Sequence, residues 1–329
     1  MKEKRLFKFG ILALSIVLIA CTGGSAEAGC PEIDGREINV VATTPMIGEF
    51  VSQVGGDNIN LTVLMPAEAD PHTYDPAPQD AGTIADADLV FYTGLKYEPA
   101  ALIKLLENSA CSAEVLAEVG ESVFPIEFKE GGHDDHHDDH DEEGHDDHAG
   151  HDHGVYDPHF WFDPNRVAYA AEYIESKLVE FDPSNASEYE AAGKAYVTEL
   201  KGLVGQVSEL ISTIPSQNRK LITTHESLGY LEAKFGLEVL STIIPSLDSA
   251  NEISPSQLVG VIDVIEDNNV KVIFIEAEAP SVYAETIVAE TGIKAVEGLW
   301  VETLKEGQSY SEFLFDAVEL IVENLRNTD

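Results

Sequence analysis

Short apolar runs alternate with longer amphipathic stretches along this chain, and they do so in two separate series. In the first, "INVVAT" (38–43), "LTVLM" (61–65) and "DLVFYTG" (88–94) read as buried strands. Between and after them, "PMIGEFVSQVGG", "PQDAGTIADA" and "PAALIKLLENS" (99–109) carry helical spacing. In the second series, "KLITTH" (220–225), "LEVLSTI" (237–243), "VKVIFIEAE" and "IKAVEGLW" read as strands. The helices expected there are "ESLGYLEAKFG", "SPSQLVGVIDVIEDNN", "SVYAETIVAETG" and a closing "SYSEFLFDAVELIVENLRN". Strands separated by helices of this size form βαβ units and a parallel sheet. Between the series, "DPNRVAYAAEYIESKLVEF" (163–181) is a helix with Asp163 as N-cap and Pro164 at its first position. It is followed by "SNASEYEAAGKAYVTELKGLVGQVSELISTI" (184–214), whose helix of about 27 residues would reach roughly 40 Å. Gly193, Gly202 and Gly205 weaken it locally. The expected fold is therefore α/β: two lobes, each a small, mostly parallel sheet flanked by helices, joined by one long helix. The division places the first lobe at 37–183, the connecting helix at 184–214 and the second lobe at 215–329. Ligands in such sheets bind beyond the carboxyl ends of the strands, so two facing lobes make a cleft.

The N-terminus precedes that architecture. Lys2, Lys4, Arg5 and Lys8 are followed by "ILALSIVLIA" (11–20), an apolar run too short to span a bilayer and suited to a signal peptide over 1–20. The run ends "LIAC", which resembles a bacterial-type lipobox with Cys21 as the lipidated residue; an ordinary signal peptide with an incidental cysteine is the alternative. Residues 21–36 then form a tether, and the expected location is extracytoplasmic, anchored to the membrane by a lipid on Cys21, or periplasmic. Export also favours a disulfide between the other two cysteines, Cys30 and Cys111, over two free thiols. The net charge of −41 excludes nucleic acid as a partner and suits a surface that attracts cations.

The eleven histidines are unevenly placed. Eight, His133, His136, His137, His140, His145, His148, His151 and His153, lie in an acidic stretch with almost no apolar side chains, read as a disordered loop over 129–154. Alternating His and Asp make it a set of weak auxiliary metal ligands. The other three are His72 in "DPHTYDP", His159 in "DPHFWFDP" and His225 at the end of "KLITTH". All three fall at strand ends or loops, where imidazoles from distant segments could meet on one metal ion. Pro71 and Pro158 stiffen the backbone beside two of them, and Asp70 and Asp157 are placed to accept the other ring N–H. Phe160, Trp161 and Phe162 would exclude water from one wall. The plainer alternative is three hydrogen-bonded polar residues with no metal.

"DPHTYDPAPQD", "DPHFWFDP", "THESLGYLEAKFGL" and "FIEAEAPS" follow one another as in the metal-binding lipoproteins of ABC importers, and the chain most resembles their zinc-uptake branch. The resemblance covers roughly 37–327. It implies two lobes joined by a long rigid helix, with metal in the cleft and ligands from four places. His72, His159 and His225 match the first three; a glutamate at the third would resemble the manganese branch. At the fourth, many relatives carry an aspartate after a glycine, whereas this chain reads "EGLWVETLKEG". Glu302 is the nearest carboxylate, one step out of register, with water or Glu276 as alternatives; Glu276 matches a family glutamate that more often supports a ligand than binds the ion. Three imidazoles and one carboxylate suit zinc. The expected function is capture of Zn2+ by a monomer and its delivery to a membrane ABC permease with its ATPase. The rivals are a manganese- or nickel-specific binding protein, a three-histidine zinc hydrolase or hydratase, and a surface adhesion lipoprotein. Neither an HExxH pair nor a G-x-S-x-G elbow supports an enzyme.

Overall fold

The computed structural model describes Cys30, Ile33 and residues 35–128, 156–279 and 281–326. The signal peptide, Cys21 and the eight clustered histidines lie outside the described residues.

The first lobe holds β1 (Ile38–Ala42), α1 (Pro45–Gly55), β2 (Ile59–Val63), α2 (Pro78–Ala85), β3 (Leu89–Tyr92), α3 (Ala100–Ser109) and β4 (Leu116–Glu118). Its four strands are all parallel, in the order β2-β1-β3-β4. After α4 (Pro164–Phe181) and α5 (Ala186–Ser212), the second lobe repeats the plan with β5 (Lys220–His225), α6 (Gly229–Phe235), β6 (Glu238–Ile244), α7 (Pro255–Asn268), β7 (Val272–Glu276), α8 (Ala284–Thr291), β8 (Lys294–Leu299) and α9 (Tyr310–Leu325). Its order is β6-β5-β7-β8, again all parallel. In each sheet the chain winds first to one side of the opening strand and then to the other. That leaves a crevice at the strands' carboxyl ends.

Local signals explain most boundaries. The Asp163 side chain caps α4 by accepting from Asn165 N at 3.0 Å, and Pro164 occupies the first turn. Ser254 with Gln257 and Ser309 with Glu312 form reciprocal capping boxes at α7 and α9. The structure departs from the sequence reading at three places. β2 runs over 59–63 rather than 61–65, α6 begins at Gly229 rather than at Glu226, and β4 is an added strand of three residues. Glu226 N donates instead to Ser246 O at 2.9 Å, in the loop after β6, which ties this segment to the neighbouring loop.

The outer faces of the two sheets have separate apolar layers, under α2 and α3 in the first lobe and under α7 and α8 in the second. The inner faces share one. A single cluster of buried side chains runs from Val40 and Phe91, through Phe160, Trp161 and Phe162, to Phe274 and Phe313. The 27 residues of α5 run through it, packed on α1 and α4 of one half and α9 of the other. Gly193 lets α5 approach α4, since a Cβ there would meet the Glu175 carboxylate. Cys30 and Cys111 are joined by a disulfide with a sequence separation of 81. Closing a loop of that size restrains mainly the unfolded chain. Cys111→Ser is expected to cost about 2–4 kcal/mol, read as a lower denaturant midpoint with a steeper slope, because the unfolded chain is then less compact. The wild-type protein in reductant should match it.

Candidate metal centre

Four segments, most of them at or just beyond the carboxyl ends of strands, converge between the lobes. Asp70 opens a short 3₁₀ turn at Pro71–Thr73 after β2, which lifts His72 into the cleft. His159 precedes a second such turn, Phe160–Phe162, whose three aromatic side chains are fully buried. His225 is the last residue of β5, and Glu302 lies in the loop after β8. One ligand atom from each of these four residues lies within 4.8 Å of the other three. Glu302 Oε1 is 2.6 Å from His225 Nε2, 3.3 Å from His159 Nε2 and 3.5 Å from His72 Nε2. His159, His225 and Glu302 are fully buried, and the His72 side chain is 5% exposed. None of the four facing atoms has a hydrogen-bond partner outside this set. Buried polar atoms are normally paired, so four that face one another form a cage suited to a cation.

The outward atoms of these residues are, by contrast, occupied. His159 Nδ1 donates to Asp157 Oδ1 at 2.8 Å, and the same oxygen accepts His159 N at 2.8 Å. His225 Nδ1 donates to Glu276 Oε2 at 2.5 Å, while Glu276 Oε1 accepts from His225 N at 3.2 Å and Ser227 Oγ at 3.1 Å. Both oxygens of Glu276 are thus turned away from the cage, and Glu302 fills the fourth corner. A proton held on Nδ1 leaves the Nε2 lone pair for a metal. Asp70 departs from its expected role. Its Oδ1 accepts the His72 backbone N–H at 3.0 Å rather than the ring, because it caps the turn, and its Oδ2 accepts Ser249 Oγ of the opposite lobe at 3.2 Å.

A bulge explains why Glu302 is out of step in the sequence. Ile275 pairs with Glu297 but Glu276 pairs with Leu299, so Gly298 is an extra residue, at φ +88°. Only glycine takes such a backbone freely. Three further groups, unassigned by sequence reasoning, hold the carboxylate. Tyr97 Oη donates to Glu302 Oε2 at 2.9 Å, which leaves Oε1 alone facing the histidines. Glu98, fully inside the first lobe, accepts Thr93 N at 2.6 Å and Gly94 N at 3.0 Å and fixes the turn that presents Tyr97. That turn places Gly94, Leu95 and Lys96 in succession at positive φ, a strain that clusters at functional sites. Glu278 Oε1 accepts the backbone N–H groups of Val301, Glu302 and Thr303. The only available signal was position, since all three follow strands at the carboxyl edge.

Burial opposes ionisation throughout the site, but the charges outweigh it at the cage. Burial pushes the His159 imidazole down, yet Glu302 and Asp157 raise it to about 9. His225 is also raised well above its usual value, by Glu276 and Glu302 against burial. Burial would raise Glu302, yet the three imidazoles hold it well below the usual carboxylate range. Burial lifts Glu278 to about 7.

Beside His72 the cleft widens into a cavity of about 740 Å³, lined also by Tyr97, Pro158 and Leu247.

The sequence profile of one family, described as "Zinc-uptake complex component A periplasmic", matches residues 40–327. The chain belongs to that family. Its members are metal-binding, substrate-binding components of ABC importers, so the chain is a binding protein and the hydrolase alternative is set aside. Among curated relatives, the chain is 29% identical over 327 residues to the high-affinity zinc uptake system protein ZnuA of Bacillus subtilis, covering 96% of each. It is 24% identical over 317 residues to the manganese-binding lipoprotein MntA of Halalkalibacterium halodurans, again covering 96% of each. Its fold matches the periplasmic zinc binding protein TroA from Treponema pallidum with a TM-score of 0.73 and 22% identity, covering 88% of this chain and 99% of that one.

The charges predict a measurable titration. In metal-free protein the His159 imidazolium should persist to about pH 9 by NMR, and Asp157→Asn should lower that value. Because the folded value lies above the unfolded one of ~6.5, the stabilisation from this group is full below that pH. It is lost as pH rises towards 9.

Proposed function

We propose that the chain captures Zn2+ outside the cytoplasm in the cage of His72, His159, His225 and Glu302 and passes it to an ABC permease with its ATPase. The observation that carries this reading is the set of four buried, mutually facing ligand atoms with no hydrogen-bond partner outside the set. Three imidazoles and one carboxylate oxygen suit tetrahedral zinc, whereas manganese favours more oxygen. A second reading, capture of Mn2+, is favoured by relatives named for manganese, such as the PsaA lipoprotein of Streptococcus mitis.

In this reading Asp157 and Glu276 orient two of the ligand rings, and the protein acts as a monomer held to the membrane by lipid on Cys21. Residues 21–36 serve as the tether, α5 is the spine between the lobes, and the histidine-rich stretch gathers cations near the cleft. The flanks of that stretch are tied independently of it. Asp157 N donates to Ile126 O at 3.0 Å, and Tyr230 Oη, from the second lobe, donates to Asp157 O at 2.8 Å. Removing 131–153 therefore leaves the presentation of His159 intact.

The deciding experiment is zinc stoichiometry and affinity by calorimetry for the full chain and for a 131–153 deletion, with Mn2+ and Ni2+ as competitors. One tight site should survive the deletion while weaker sites disappear. Preference for manganese would overturn the zinc reading, and loss of the tight site would overturn the cage. Replacing His72, His159 or His225 with Ala should weaken zinc more than the roughly 10–100-fold typical of losing an outer hydrogen-bond partner. Metal competes with protons at Nε2, so affinity should fall as pH drops below about 9. Proton release should be visible as buffer-dependent binding heat.

A further inference from the structure

The segment that carries Glu302 is irregular backbone in a dry place. Val301, Glu302 and Thr303 are all fully buried, and no neighbouring strand supplies their hydrogen bonds. The donors and acceptors are instead divided between the lobes. Glu278 Oε1, in the loop after β7, accepts Val301 N at 3.0 Å, Glu302 N at 3.0 Å and Thr303 N at 3.3 Å. From the first lobe, Trp161 Nε1 donates to Val301 O at 2.8 Å, and the one Tyr97 hydroxyl proton is shared between Glu302 O at 3.0 Å and Glu302 Oε2 at 2.9 Å. Among the described residues Glu278 is the acceptor for all three N–H groups, and one of its oxygens serves them all. Its hold fixes both the height and the rotation of the Glu302 Cα.

We propose that Glu278 is the positioning residue of the fourth ligand, and that its grip on the 301–303 backbone sets the preference of the cage for zinc over manganese. This rests on the zinc reading above. With the backbone fixed and Oε2 held by Tyr97, Glu302 offers one oxygen, and the cage closes at four donors. Released from Glu278, the 301–303 backbone can shift, which either carries Oε2 away from Tyr97 and towards the imidazoles or withdraws Oε1 from them. Either change lowers the advantage of a small tetrahedral ion over a larger one that takes more oxygen ligands.

The test uses the full chain with Glu278→Gln, Glu278→Asp and Glu278→Ala. Zinc and manganese affinities are measured by competition with a chromophoric chelator, and the visible spectrum of bound Co2+ is recorded. Gln keeps an acceptor oxygen at the same reach, and its affinities and cobalt spectrum should stay within a few-fold of wild type. Asp withdraws the oxygen by one methylene and Ala removes it. Zinc should then weaken by roughly 10–100-fold while manganese changes little. The cobalt absorption should also lose the intensity of four-coordination. If Ala proves too unstable to purify, the Asp and Gln pair carries the comparison. A parallel loss of both metals with an unchanged cobalt spectrum would mark Glu278 as merely structural and overturn the inference alone. Asp behaving as wild type, or Gln failing as badly as Asp, would also overturn it. Wild-type protein with no zinc affinity would overturn the functional reading and this inference together.

Discussion

Glu302 is a carboxylate kept ionised at zero exposure, and the arrangement around it makes sense only as compensation for that charge. An uncompensated buried charge costs several kcal/mol. Three imidazoles face one of its oxygens and a tyrosine holds the other. Two of the imidazoles, those of His159 and His225, are aimed by groups further out, Asp157 and Glu276. The site is a nested set of polar contacts in which every layer depends on the one outside it. It is assembled from both halves: His72 and His159 come from the first, His225 and Glu302 from the second.

The parallel sheets make this economical. Every strand ends on the same side of its sheet, so the loops that follow are delivered to one crevice without long excursions. Short turns then set the angle of each side chain. A 3₁₀ turn follows Asp70, another follows His159, and a strained run at Gly94, Leu95 and Lys96 precedes Tyr97. Carboxylates hold the backbone at or beside each turn: half-buried Asp70 accepts His72 N, buried Asp157 accepts His159 N just before the second turn, and buried Glu98 accepts Thr93 N and Gly94 N. The negative charge of the site's surroundings is therefore structural as well as attractive to cations.

The three histidines were legible in the sequence because imidazole outside the acidic tract is scarce and the flanking Asp-Pro pairs repeat. The alternation of strands and helices was legible for the same kind of reason, a period sustained over many residues. What escaped lacked either a period or a distinctive residue type. β4 is three residues long, too few to show alternation. The place of Glu302 depended on one extra residue at Gly298, and a bulge leaves no mark on hydrophobic spacing. Tyr97 and Glu278 act on Glu302 and its neighbours from separate segments, and Glu98 acts indirectly through the turn before Tyr97, so no local pattern marks their roles. Asp70 was matched to Asp157 by its local frame, yet the shared Asp-Pro-His frame led to different contacts once the rings met different neighbours.

The apolar layer common to both inner sheet faces limits how such a molecule can let an ion go. Swinging the halves apart would strip Trp161, Phe162 and Phe313 from one another, at about 2–3 kcal/mol for each large side chain returned to water. Exchange by local loosening avoids that cost. The weakest corner is His72, the one ligand with any exposure, whose Asp70 neighbour is latched to Ser249 across the gap by a single hydroxyl. An ion leaving past His72 would cross a single side chain into the adjoining cavity, without disturbing the shared apolar layer.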